Sequence, residues 1–162
     1  MIYIVDFGSQ VTQLIARRVR EAGVYCEIVS NRNLISKIKV NLPSGIIFSG
    51  GPASVHKSRT PKIDQKIFEL KIPILGICYG MQLIVHQLGG KVEISNQREF
   101  GKTLITQKNK SKLFHGVKLK NNQHYVWMSH GDKAIKLPEN FSTIATSKNS
   151  KFVGIENKKL NI

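Results

Sequence analysis

Short, almost continuously apolar runs alternate with amphipathic segments through the first half of the chain, and this alternation restricts the fold more than any other feature. A helical stripe from Val11 to Ala22, with Ser9 as its expected N-cap, separates the first two runs, and Pro61 opens a helical pattern that continues to Leu70. Strands that are apolar on both faces are typical of a parallel sheet covered by helices on both sides. We therefore predict an α/β fold with a mostly parallel central sheet flanked by helices, whose strands are Ile2–Asp6, Val24–Val29, Gly45–Ser49 and Ile72–Ile77.

The pattern changes after Gly90, where helical periodicity fades and short apolar segments follow one another between polar turns. We expect additional antiparallel strands in this C-terminal half, arranged as hairpins on an edge of the core sheet. Their predicted ranges are Lys91–Ile94, Lys102–Thr106, His124–Met128, Ser142–Thr146 and Phe152–Glu156.

A G-x-C-x-G segment, Gly76 to Gly80, lies between the fourth predicted strand and a helical pattern that ends at Gly89. A strand, a sharp turn and a helix are the setting in which hydrolases hold a nucleophile, and here Cys78 occupies that position. The adjacent helix N-terminus carries partial positive charge, which favours the reactive thiolate. The alternative is a buried core cysteine beside a tight turn. Cys26, inside a predicted strand, is expected to be a core residue.

Composition limits the remaining possibilities. A chain of 162 residues that is 41% hydrophobic is long enough for one domain with its own core, and it contains no apolar run long enough to span a membrane. Its two cysteines make no disulfide framework and have no zinc-like neighbours, so we expect no metal and a reducing, cytoplasmic setting. The net charge of +15 fits a solvated basic surface that faces an acidic partner, or a nucleic-acid-binding domain.

Several segments together resemble the glutamine amidotransferase domain of GMP synthetases, a class I family that uses a catalytic triad. The resemblance runs from Met1 to the last residue, and the opening segment and residues 127–132 are its most specific parts. The segments that carry it are Asp6–Glu21, Gly23–Glu27, Ser49–Val55, Gly76–Gln82 and Trp127–Asp132.

The resemblance implies a flavodoxin-like three-layer fold and a set of site residues around Cys78. The backbone N–H groups of Gly51 and Tyr79 would form the oxyanion hole, and glutamine would be bound by Gln82, Ser129, Gly131 and Asp132. From the residues alone, Gly51 also fits an ordinary Gly-Pro turn and Gln82 a solvated helix position. The segment 129–132 equally fits a polar turn between strands.

The activity implied by the resemblance is the hydrolysis of glutamine through a Cys78 thioester, which supplies ammonia for the amination of XMP to GMP. The implied partner is an ATP-pyrophosphatase (synthetase) domain or subunit. This domain would need no cofactor, because ATP and Mg²⁺ belong to the synthetase. The sequence has no phosphate-binding loop of its own.

A cysteine nucleophile of this type requires a histidine base that is oriented by a carboxylate. In the family these two residues lie in a His-Pro-Glu segment, and residues 1–162 contain no His-x-Glu. We therefore expect one amidotransferase domain over 1–162 that lacks the segment with the His and Glu, and without a synthetase domain. A non-catalytic module that binds glutamine or a synthetase remains an alternative, and a basic nucleic-acid-binding domain is a weaker one.

Overall fold

A computed structural model gives the structure of the protein, and it describes residues 1–94, 101–129 and 131–162. Among the described residues, four strands and four helices alternate in the first half, and four further strands with one short 3-10 turn follow in the second. Within the described residues, no helix combines the length and apolarity that crossing a lipid bilayer requires. The strands are β1 Ile2–Asp6, β2 Cys26–Ser30, β3 Gly45–Phe48, β4 Ile74–Gly76, β5 Lys91–Gln107, β6 Gln123–Lys136, β7 Ser142–Ser147 and β8 Gly154–Glu156. The helices are α1 Thr12–Glu21, α2 Leu34–Val40, α3 Lys66–Glu69 and α4 Tyr79–Gln87.

The first four strands form the predicted parallel sheet, in the order β2-β1-β3-β4. Alternate residues of the central strand β1 enter different cores: Tyr3 and Val5 pack into the main hydrophobic cluster, whereas Ile4 packs with Ala16 of α1 and with Cys26. Both faces of the sheet are therefore covered, which confirms the α/β prediction. Cys26 is 1% exposed and its thiol donates to the carbonyl of Ala16 at 3.4 Å, as expected for a core cysteine.

The last four strands form a separate antiparallel sheet, in the order β6-β5-β7-β8. The prediction of antiparallel strands is confirmed, but their placement on an edge of the core sheet is wrong. Helix α4 joins the two sheets, because Leu83 and Val85 share one buried cluster with Val92 of β5 and Ala134 of β6. The second sheet thus packs on α4 instead of hydrogen-bonding to the first.

Two local predictions differ from the structure. Helix α1 begins at Thr12, and the Ser9 hydroxyl accepts from the N–H of Val11 at 3.2 Å, so that Ser9 closes the preceding turn and does not cap the helix. The helix predicted from Pro61 is confined to Lys66–Glu69. The side chain of Gln87 bonds to both the N–H and the carbonyl of Ile63, which removes that backbone from any helical ladder.

Candidate active site

The turn between β4 and α4, residues 76–80, is a sharp elbow with Cys78 at its apex. Cys78 has φ 50° and ψ −110°, a backbone conformation that non-glycine residues rarely adopt. The two glycines serve close packing: a Cβ on Gly76 would lie 2.8 Å from the backbone nitrogen of Met81, and one on Gly80 would lie 2.6 Å from the Cβ of Phe48. The glycines let the elbow fold against its neighbours while the strained conformation falls on the cysteine itself.

Backbone hydrogen bonds attach this elbow to the end of β3. The N–H of Ile77 donates to the carbonyl of Phe48 at 2.9 Å, and the N–H of Gly80 donates to the carbonyl of Ser49 at 3.1 Å. The Phe48 ring also packs edge-on against Phe7, which in turn contacts the ring of Tyr79. Cys78 is therefore held at the C-terminal edge of the parallel sheet, where ligand sites of open α/β sheets lie.

The Cys78 thiol is partly buried, and burial raises the pKa of this thiol above its ordinary value. The N-terminus of α4 acts in the opposite direction, but the desolvation of the thiolate prevails. No residue that the structure describes hydrogen-bonds to the thiol. Burial of the thiol thus opposes the thiolate that the helix N-terminus was expected to favour.

The loop after β3 brings Gly50 and Gly51 next to the elbow. A Cβ on Gly50 would lie 3.6 Å from the Cβ of Cys78, and one on Gly51 would lie 2.6 Å from the carbonyl oxygen of Phe7. The buried Ser49 hydroxyl fixes this loop, since it accepts from the N–H of Phe7 at 3.3 Å and donates to the Gly50 carbonyl at 2.9 Å. Among the described residues, the N–H groups of Gly51 and Tyr79 donate to no acceptor, which leaves both available to a ligand.

A cavity of about 310 Å³ lies between the elbow and the antiparallel sheet. Its wall includes three of the predicted site residues, Cys78, Gln82 and Asp132. Ser129 and Gly131 lie on β6 beside Asp132 but do not line the cavity, and Ser129 is exposed. His130 lies outside the described residues. The volume is at the lower end of what small-molecule sites offer.

Gln82 is buried, at 5% exposure, and is not the solvated helix residue that its sequence context also allowed. Its side-chain amide donates to the backbone carbonyl of Asp132 at 2.8 Å, so the residue links α4 to β6 at the cavity wall. This bond uses the amide nitrogen, and the amide oxygen has no protein partner within the part of the chain that the structure describes. The oxygen can therefore accept from an amino group of a ligand.

Much of the cavity wall comes from residues that the sequence did not indicate. Leu113 and Phe114 belong to a 3-10 turn, residues 112–114, and Phe152 precedes β8. The polar members are Lys133 and the 8%-exposed Ser150. These residues come from three distant segments and form no local motif, so only the tertiary fold brings them together. Within the described ranges, no group of three or more His, Cys, Asp and Glu side chains is placed to hold a metal ion.

Comparison with known sequences agrees with this geometry. The family model "Glutamine amidotransferase class-I" matches residues 3–162. The glutamine-hydrolyzing GMP synthase of Agrobacterium fabrum is 54% identical over 151 residues, which are 93% of this chain and 29% of that protein. The corresponding enzyme of Helicobacter pylori strain Shi470 is 52% identical over 160 residues, which are 99% of this chain and 31% of that protein. The chain thus spans about a third of the length of these curated relatives.

Solved structures give the same result. A Thermoplasma acidophilum protein assigned as a GMP synthase subunit has a TM-score of 0.80 and 32% identity, and the match covers 99% of this chain and 79% of that one. A glutamine amidotransferase from Thermotoga maritima, at 20% identity, shares the fold with a TM-score of 0.73 over 98% of this chain and 71% of its own. On the family match across residues 3–162, this chain belongs to the class-I glutamine amidotransferase family.

Proposed function

We propose that this chain is the glutamine-hydrolysing part of a GMP synthase, with Cys78 as its nucleophile. The observation that carries the proposal is the elbow, which presents Cys78 to the cavity that Gln82 and Asp132 also line. Relatives at 52–54% identity carry the name of that enzyme. Such relatives favour neither a non-catalytic binding module nor a nucleic-acid-binding domain.

In the proposed reaction, the Cys78 sulfur attacks the side-chain amide carbon of glutamine. The carbonyl oxygen becomes an oxyanion, which the N–H groups of Gly51 and Tyr79 stabilise; one such donor is typically worth about 10²–10³ in rate. The amide nitrogen takes up the proton that the Cys78 thiol gave up, the C–N bond breaks and ammonia leaves, and a γ-glutamyl thioester remains on Cys78. Water cleaves the thioester to glutamate and restores the thiol.

Glutamine recognition would fall to the remaining polar groups of the site. The amide oxygen of Gln82 and the carboxylate of Asp132 are acceptors suited to the α-amino group, and the backbone at Ser129 and Gly131 lies on the same strand as Asp132. Lys133 is a cation at the cavity wall and suits the α-carboxylate. The apolar remainder of the wall excludes water from the reacting amide.

The ammonia would pass to a synthetase partner, an ATP-pyrophosphatase domain or subunit that uses ATP and Mg²⁺ to aminate XMP to GMP. The Thermoplasma acidophilum relative is assigned as one subunit of such an enzyme, which supports a partner of this kind. This chain would itself need no cofactor for the glutaminase step. Two free cysteines suit a reducing compartment such as the cytoplasm.

Affinity labelling tests the proposal without requiring turnover. A chloroketone analogue of glutamine is expected to alkylate Cys78, and free glutamine is expected to slow that reaction in a saturable way. Glutamate, which lacks the side-chain amide, and asparagine, which is one methylene shorter, serve as control competitors and are expected to protect Cys78 less. Labelling that glutamine does not slow, or that occurs equally on Cys26, would contradict the proposal.

A further inference from the structure

The outer face of the hairpin formed by β5 and β6 carries large side chains that no described residue covers. Trp127 is 82% exposed, Tyr125 is 56% exposed and Leu104 is 37% exposed. The Lys102 ammonium lies 4.5 Å from the centre of the Tyr125 ring. We call these four residues, Lys102, Leu104, Tyr125 and Trp127, the Trp127 face. Contiguous exposed aromatic and aliphatic groups of this kind mark interaction sites on soluble proteins.

Strand register shows that the four residues form one surface. Lys102 is directly opposite Trp127 and Leu104 is directly opposite Tyr125, and opposed residues of an antiparallel pair share a face. The alternating residues Val126, Met128 and Ile105 line the cavity beside Cys78. The hairpin is therefore one layer thick between the candidate active site and the exposed surface.

We propose that the Trp127 face docks the synthetase partner, an inference that rests on the function proposed above. The face has the composition of a binding hot spot, with a tryptophan and a tyrosine beside a cation. A partner seated there also lies next to the cavity, since the same hairpin forms part of the cavity wall and Leu113, at 53% exposure, borders the same cavity. Docking at this place keeps the path from Cys78 to the consumer of ammonia short.

Charge defines the chemistry of the partner surface. The chain carries a net charge of +15, and Lys102 places a cation within the face itself. The complementary surface is an apolar patch with an acidic rim, which gains affinity from the aromatic contacts and association rate from the charge. Single-stranded nucleic acid also stacks on aromatic side chains and favours cations. The aliphatic groups of Leu104 and Leu113 offer no such stacking, so a protein partner fits better.

Fluorine NMR tests this proposal directly, because Trp127 is the only tryptophan of the chain. The fluorotryptophan-labelled chain gives one resonance, which is titrated with the part of the Helicobacter pylori relative that lies outside the matched segment. That part is first checked for GMP formation from XMP, ATP, Mg²⁺ and ammonium salt. We expect the resonance to shift or broaden in a saturable way, with apparent affinity that falls as salt rises.

Alanine variants test whether the Trp127 face is the surface that binds the partner. Tyr125→Ala is expected to weaken the titration about 10-fold or more, as truncation of a hot-spot aromatic does. Tyr25→Ala removes a tyrosine that is 64% exposed beside the opposite edge strand β2, and it is expected to leave the titration unchanged. Calorimetry with Trp127→Ala extends the test to the tryptophan itself.

Three outcomes overturn the proposal. If calorimetry detects binding but the Trp127 resonance does not change, the interface lies elsewhere on the chain. If the resonance responds to single-stranded RNA but not to the synthetase part, the partner is a nucleic acid. An absence of binding to an active synthetase part refutes docking altogether. The chloroketone reaction at Cys78 tests the proposed function independently of docking. If glutamine protects Cys78, the proposed glutaminase function stands even when docking is refuted. If glutamine gives no protection, the glutaminase function is refuted as well.

Discussion

Burial is the main influence on the candidate nucleophile. Because burial raises the pKa of the Cys78 thiol, its alkylation rate is expected to keep rising as pH increases beyond the ordinary thiol range. The direction follows from the thiolate being the reactive form, whose fraction grows only as pH approaches the raised pKa. Iodoacetamide labelling over a pH series, followed by peptide mass analysis, measures the profile.

Cys26 is the internal control for this measurement. It is 1% exposed, so we expect it to react more slowly than Cys78 at every pH at which the fold persists. A plateau of the Cys78 rate already at mildly acidic pH would indicate a lowered pKa and contradict the account. Faster labelling of Cys26 would do the same.

Gly80, two positions after Cys78, lies where a side chain should destabilise the fold. A Cβ on Gly80 would lie 2.6 Å from the Cβ of Phe48 and closer still to its carbonyl oxygen, so the backbone of β3 or α4 must move. We expect Gly80→Ala to lower the free energy of unfolding by about 1–3 kcal/mol, as overpacking does. Gly50→Ala is the matched control, since its new contacts of 3.6 Å are ordinary ones. Equal urea midpoints for the two variants would show that β3 and α4 leave room for a side chain at Gly80.

At the scale of elements, helix α4 connects the parallel and antiparallel sheets. The buried Gln82 side-chain amide donates to the backbone carbonyl of Asp132, which is half-buried. Gln82→Leu leaves that carbonyl without its donor, and we expect a loss of about 1–3 kcal/mol in the free energy of unfolding. His86→Ala, on the exposed side of the same helix, is expected to have little effect. Urea unfolding measures both variants. Equal losses of unfolding free energy would show that Gln82 does not link α4 to β6.

The first-half elements were predictable because each strand is apolar on both faces and each helix is marked by a break in that pattern. β1 matches its predicted range of Ile2–Asp6 residue for residue. The predicted helix start at Pro61 was wrong because Gln87, more than 20 residues away in sequence, bonds to the Ile63 backbone. Local patterns carry no information about such a contact.

The site was predictable in part for the same reason. The elbow is a local motif, so the position of Cys78 between strand and helix followed from the sequence. The raised pKa of the Cys78 thiol depends on its burial in the folded chain, and Leu113 and Phe152 reach the cavity only through the tertiary fold. The separate second sheet was missed because alternation within a strand does not show which sheet it joins.

At the scale of the whole molecule, we expect these 162 residues to hydrolyse glutamine slowly. The Cys78 thiol has no acid or base partner among the described residues, and a positioned proton-transfer group is typically worth about 10²–10⁴-fold in rate. Ammonia release by this chain, compared with release by the full-length Helicobacter pylori relative, measures the difference. Equal rates would mean that a residue within 1–162 serves as the base, and His130 would be the first to substitute.

The central claim is that Cys78 attacks the glutamine amide and forms a thioester. The most direct measurement is mass analysis of the Cys78 peptide after incubation with isotopically labelled glutamine and an acid quench. We expect a labelled γ-glutamyl group to accumulate slowly on Cys78 as an acid-stable thioester. The Cys78→Ser variant should form no such thioester, and the Cys26→Ser variant should still form it. A chain that binds glutamine yet never acquires this group, or that acquires it on another residue, would contradict the account.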